Sequence, residues 1–97
     1  GAVELMGRGD LFISLLEHDP AEADSALFAL RRVPWPLRES DFAPQQMQRT
    51  IAGQSGCQRF FSVVGRAFCL YVVLGSHRMR AMYISDVNDV LATIDIA

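Results

Sequence analysis

The densest hydrophobic pattern lies in residues 59–84, RFFSVVGRAFCLYVVLGSHRMRAMYI, where apolar, β-branched and aromatic residues are broken only at Gly65-Arg66 and Gly75-Ser76. A glycine at the first central position of a two-residue loop marks a type II′ hairpin turn, where φ must be positive. The pattern therefore predicts a three-stranded antiparallel meander. Counting outward from the turns sets Val64 opposite Ala67, Phe61 opposite Leu70, Leu74 opposite His77 and Val72 opposite Met79. Opposed residues share a face. Phe61, Val63, Phe68, Leu70, Val72, Leu74, Met79, Ala81 and Tyr83 then form a core face, with Arg59 and His77 at its margin. Gln58, Phe60, Ser62, Val64, Ala67, Cys69, Tyr71, Val73, Arg78, Arg80, Met82 and Ile84 form a mixed one. Residues 67–74 are apolar on both faces, which predicts a central strand covered on both sides.

Elsewhere the apolar spacing is helical. Asp19 as N-cap, Pro20 at the first helical position and Glu22 three residues after the cap make a capping box. Ala23, Ala26, Leu27, Leu30 and Val33 follow at helical intervals, Arg31 and Arg32 close the last turn, and Pro34-Trp35-Pro36 stops it, which predicts a helix over 20–33. Upstream, residues 11–18, LFISLLEH, are too short for periodicity to separate helix from strand. A helix burying Phe12, Leu15 and Leu16 is favoured, with Arg8-Gly9-Asp10 as the preceding turn and Asp10 as its cap. Residues 34–44 are irregular, with Trp35 expected as a packing anchor. Residues 45–52 read as a short helix with Met47 and Ile51 on one side, or as an edge strand. Ser85 caps a final helix over 86–94, with Val87, Val90, Leu91 and Ile94 as its buried stripe.

The expected architecture is α+β: two N-terminal helices, a short third helix or edge strand, a three-stranded antiparallel β-meander and a C-terminal helix. The alternative is a ferredoxin-like arrangement in which 11–18 is a strand. A chain of 97 residues supports one small domain over 1–97 with one core. Opening on Gly-Ala without Met is what a trimmed or excised chain would show.

Composition narrows the function classes. With 51% apolar and 21% charged residues and a formal charge of −2, the chain has no global attraction for nucleic acid. No apolar run reaches the roughly 20 residues of a membrane span, and no signal-peptide pattern is present. All the basic residues are Arg, a bias associated with high-GC bacterial genomes. Cys57 and Cys69 do not face each other in the counted register, and two unpaired thiols fit a reducing cytoplasm.

Candidate chemistry falls in two places. Cys57 follows Gly53-Gln54-Ser55-Gly56, a loop that can expose a thiol and offer backbone N–H groups to an oxyanion, with His77 or His18 as base. The second place is the mixed face, where Phe60 and Tyr71 beside Arg78 and Arg80 can stack on and neutralise a nucleotide. The same residue types are enriched in protein–protein interfaces. Cysteine and histidine spacings match no metal motif, and without Lys there is no phosphate-binding loop, so neither metal nor cofactor is expected. The expected function is a non-enzymatic protein-interaction or regulatory module, homodimeric through the mixed face. The alternatives are a small-ligand or nucleotide sensor using that face, and a Cys57-dependent enzyme or sulfur carrier.

Overall fold

Residues 66–74 need a partner along each edge, and residues 11–18 supply one of them. The computed structural model describes residues 2–96. Strands β1 (Ala2–Arg8), β2 (Leu11–His18), β3 (Ser55–Val63) and β4 (Arg66–Leu74) form one antiparallel sheet in the order β1-β2-β4-β3. One α-helix, α1 (Ala81–Leu91), follows. Between β2 and β3 lie four isolated 3₁₀ turns, Pro20–Asp24, Ala26–Phe28, Glu39–Asp41 and Pro44–Gln46. This overturns the expected pair of N-terminal helices and the three-stranded meander. The ferredoxin-like alternative fails too, since one C-terminal helix stands where that fold has two crossover helices.

Each correction has a local cause. Residues 11–18 form a strand because β4 offers them an unbroken ladder, from Leu11 opposite Leu74 to His18 opposite Ala67. Asp10, expected to cap a helix, instead lies in the β1–β2 turn, and its carbonyl accepts from Gly75 N at 2.9 Å. With that edge of β4 occupied, residues 77–84 have no strand to pair with. They form a turn and then the start of α1, whose Val87 and Leu91 are buried. Over 20–33 the start is as expected: Asp19 Oδ1 accepts from Ala21 N at 2.9 Å. Ser25 then turns extended, and its hydroxyl donates to the Glu22 carbonyl at 2.7 Å, competing with the helical ladder. Ala23 and Phe28 are buried, while Leu27 of the expected stripe is 59% exposed. Residues 45–52 are neither helix nor edge strand beyond the turn at Pro44–Gln46.

The β3–β4 turn is Val64-Gly65, one residue earlier than expected, with φ of 47° and 75°. Two positive φ values make a type I′ turn, whose twist matches that of the flanking strands. Phe61 consequently faces Phe68 and not Leu70, and their rings stack at 5.4 Å. The partner moves by two residues, and a two-residue shift keeps each side chain on its face.

α1 and residues 37–42 cover one face. Leu37, Phe42, Val87 and Leu91 pack there with Leu11, Ile13, Cys57, Phe61, Phe68, Leu70, Val72 and Leu74. Asn88 joins the two layers: its Oδ1 accepts from Leu37 N at 2.8 Å and its Nδ2 donates to Leu37 O at 3.0 Å. Trp35 does not anchor the core as expected. It is 51% exposed, with its indole N–H donated to Asn88 O at 3.1 Å.

The outer edge of β3 is closed by the irregular segment. Ala43 and Gly56 exchange both backbone hydrogen bonds, at 2.9 and 3.0 Å. Gln58 N donates to Gln46 Oε1 at 3.1 Å, and Ser62 N to Leu30 O at 2.7 Å. An added Cβ at Gly56 would stand 2.6 Å from Met47 Cγ, so the lack of a side chain there is what lets the segment lie against the strand.

Val64 is a β-branched residue held at positive φ, where an L side chain crowds the following carbonyl at a cost of about 1–2 kcal/mol. We expect Val64→Asn, which creates the favoured Asn-Gly pair, to stabilise the protein by about 1 kcal/mol. The check is a raised urea midpoint with unchanged slope; a lowered midpoint would contradict the turn geometry.

Candidate functional site

Cys57 sits on β3 opposite Val72, on the face under α1, with 0% exposure. Ser55 and Gly56 already belong to the strand, so the glycine-rich stretch does not lift the thiol into solvent. Burial pushes the Cys57 thiol up to about 11, against the smaller pull of the Arg59 guanidinium. That guanidinium is itself engaged, with Asp41 Oδ1 at 2.9 Å and Gln46 Oε1 at 2.8 Å. The Gly56 N–H, a candidate oxyanion donor, is given to Ala43 O. Cys69 lies on the opposite face, buried, its thiol also pushed up by burial. Both are free cysteines, and protonated thiols in these positions are poor nucleophiles at neutral pH.

His77 meets Ser55, which sequence reasoning did not single out. His77 Nδ1 lies 2.9 Å from Ser55 Oγ, and Arg80 Nη1 lies 3.3 Å from His77 Nε2. Serine beside histidine suggests a hydrolase dyad, but the protons run the other way. A guanidinium can only donate, so Nε2 is the acceptor and the neutral ring carries its proton on Nδ1. Ser55 Oγ therefore accepts from the imidazole, and no base is aimed at its own proton. Ser55 is fully buried. The cluster pins the turn before α1: Arg80 also donates to His77 O at 2.9 Å and Glu39 O at 3.2 Å, and His77 N donates to Gly53 O at 2.7 Å. The available signal for Ser55 was its parity with Cys57 and Phe61, which puts it on the core face.

Phe60, Tyr71, Arg78 and Arg80 are not brought together. Ser55 faces the α1 side, and Arg80 reaches it through His77, whereas Phe60 and Tyr71 point from the other face. Five residues of strand, about 17 Å, also separate Ser55 from Phe60. Phe60 packs edge-on to Phe28 at 5.5 Å and lies 6.2 Å from the His18 ring. Ala23 and Ala67 complete that cluster, so the 3₁₀ turns cover the hairpin end of this face. Tyr71 is half-buried, its hydroxyl accepting from Gln48 N at 2.8 Å. Arg78 is exposed in the turn before α1.

What stays open on this second face is a largely apolar strip, Phe12, Ser14 and Leu16 of β2 beside Tyr71 and Val73 of β4, bordered on β1 by the exposed Glu4 opposite Ser14. Leu16 is 40% exposed and the other four are half-buried. The three β2 residues were missed because 11–18 is apolar on both faces and shows no alternation. Among the described residues no group of three or more His, Cys, Asp or Glu is placed to hold a metal, and no helix is long and apolar enough to cross a membrane. No family model, no curated protein and no solved structure matches the chain.

Two measurements check this chemistry. Iodoacetamide should label neither cysteine appreciably at pH 8 in the folded protein, because a thiol raised to about 11 is only roughly one part in a thousand thiolate there. Rapid labelling of Cys57 before unfolding would contradict its placement. Long-range ¹H–¹⁵N correlation should show His77 as the Nδ1–H tautomer; an Nε2–H signal would reopen Ser55 as a nucleophile.

Proposed function

We propose that this chain is a non-catalytic interaction module that associates with a second copy of itself through the open strip of the second sheet face. The observation that carries the reading is the chemistry of that strip. An antiparallel sheet with one solvated face normally alternates apolar inward and polar outward. Here the outward residues of β2 and β4 include Phe12, Leu16, Tyr71 and Val73. Residues 19–30 cover the hairpin end and Met47 and Gln48 reach the β3 side at the other end, but the described residues include no helix to lay over β2.

Two copies related by a two-fold axis would set these strips face to face, with sheets about 10 Å apart, and each copy would supply the apolar surface the other lacks. Phe and Tyr are enriched in such contacts, and the nearest charge, on Glu4 opposite Ser14, lies at the β1 border of the strip. A formal charge of −2 per chain opposes this association only weakly. The protonated thiols and the reversed Ser55–His77 hydrogen bond favour a binding role over a catalytic one.

Sedimentation equilibrium from 5 to 500 micromolar should show a reversible dimer. Leu16→Glu should weaken it by about 100-fold, since a buried unpaired carboxylate costs on the order of 3 kcal/mol. Leu16 is part-exposed in the single chain, so the variant should keep the native circular dichroism. A strict monomer at 500 micromolar, or a dimer indifferent to Leu16→Glu, would overturn the proposal.

A further inference from the structure

We infer that the groove beyond the C-terminal end of α1, on the opposite side of the sheet from the open strip, binds a small uncharged apolar ligand. α1 ends at Leu91, short of the hairpin end of the sheet, and the chain runs on through residues 93–96. Between that tail and the strands lies a groove of about 440 Å³, within the size range of small-molecule sites. Its walls are Val3 and Leu5 of β1, Leu15 of β2, Phe68 of β4, and Ile94 and Ile96 of the tail. The register of β1 shifts between Glu4 and Met6, and this bulge inserts Leu5 as an extra residue beside the groove. Bulges re-aim side chains in this way, often beside functional sites.

The polar end of the groove sets the class of ligand. Arg66 and Glu17 meet in a two-pronged pair, Nε to Oε2 and Nη2 to Oε1, both at 2.8 Å, and the guanidinium carbon lies 5.2 Å over the Phe68 ring. The Arg66 guanidinium beside Glu17 holds that carboxyl below the usual range, so the pair stays ionised across neutral pH. Each charge is answered by the other. A ligand carboxylate would meet Glu17 and Asp95, and an ammonium would have to displace a bidentate arginine at Glu17 or settle for the exposed, solvated Asp95, a pairing worth little. An aliphatic chain or fused aromatic with a neutral head group meets neither penalty. It gains the apolar walls, and the Thr93 hydroxyl, whose own proton goes to Val90 O at 2.6 Å, can accept from its head group.

The test uses N-phenyl-1-naphthylamine, a neutral fluorophore that brightens in apolar surroundings. The whole protein should bind one equivalent saturably, and decanol should displace it at least tenfold more effectively than decanoate at pH 7.5. Val3→Glu, at a position 57% exposed in the free protein, should lower probe affinity at least tenfold without loss of fold by circular dichroism. Leu16→Glu on the opposite face should leave probe binding unchanged, which separates this site from the dimer strip. No saturable binding, displacement by decanoate as effective as by decanol, or indifference to Val3→Glu would each overturn the inference. So would equal loss with Leu16→Glu.

Discussion

A strand that is apolar on both faces must be covered on both faces and paired along both edges. In β4, Ala67, Phe68, Cys69, Leu70, Val72 and Leu74 are all buried, although their side chains alternate between the two sides of the sheet. α1 and the segment ending in Phe42 satisfy one side. The other is left to 3₁₀ turns that reach only its hairpin half. The irregular segment between β2 and β3 follows from this shortage. It covers Ala67 and Phe60 with Ala23 and Phe28, meets the edge of β3 at Leu30, and returns over the helix side with Leu37 and Phe42. It then meets the same edge again at Ala43, and Met47 and Gln48 reach the second face. Its lack of regular structure is compatible with order because nearby carbonyls and side chains take up the outward N–H groups of β3.

The same geometry separates binding surfaces from fixtures. The arginines that look available in the sequence are in large part committed. Arg59 is held by Asp41, Arg66 by Glu17, and Arg80 by carbonyls on two segments and the His77 ring. Pairs this exposed contribute little to stability. Their effect is positional, fixing the segment beside β3, the end of the groove and the entrance to α1. The largely apolar surfaces that remain lie one on each side of the sheet.

Much of this was legible in the sequence, and the failures have specific causes. The faces of residues 58–74 could be assigned because parity survives a two-residue change of partner. The turn itself was misplaced because Gly65 takes positive φ as the first residue of a II′ turn or the second of a I′ turn, and Val64 is an improbable occupant of the other position. Gly75-Ser76 looked like a second hairpin because nothing local reveals that Asp10 and β2 already occupy that side of β4. The helical interval from Tyr83 to Val87, Val90 and Leu91 was present, yet the strand-like composition of 79–84 outweighed it. Over 20–33 the cap was read correctly, but one serine hydroxyl bonding back to Glu22 ended the helix, and Phe28 took the burial assigned to Leu27. The glycine-rich stretch before Cys57 suggests an exposed loop, whereas Gly56 serves the close passage of Met47.

The strand order β1-β2-β4-β3 also has a kinetic side. The β3–β4 hairpin closes through two residues, and β1–β2 through Gly9-Asp10, so each forms by local encounter. Joining β2 to β4 requires closing the long loop of residues 19–54, and that loop gains nothing until its own carbonyls find the edge of β3. Loop-closure entropy grows only slowly with length, but it must be met before any of the contacts that offset it exist. The topology therefore concentrates the loop-closure cost in the β2–β4 ladder, and each hairpin, a two-stranded ribbon by itself, gains a stable sheet only when that ladder forms.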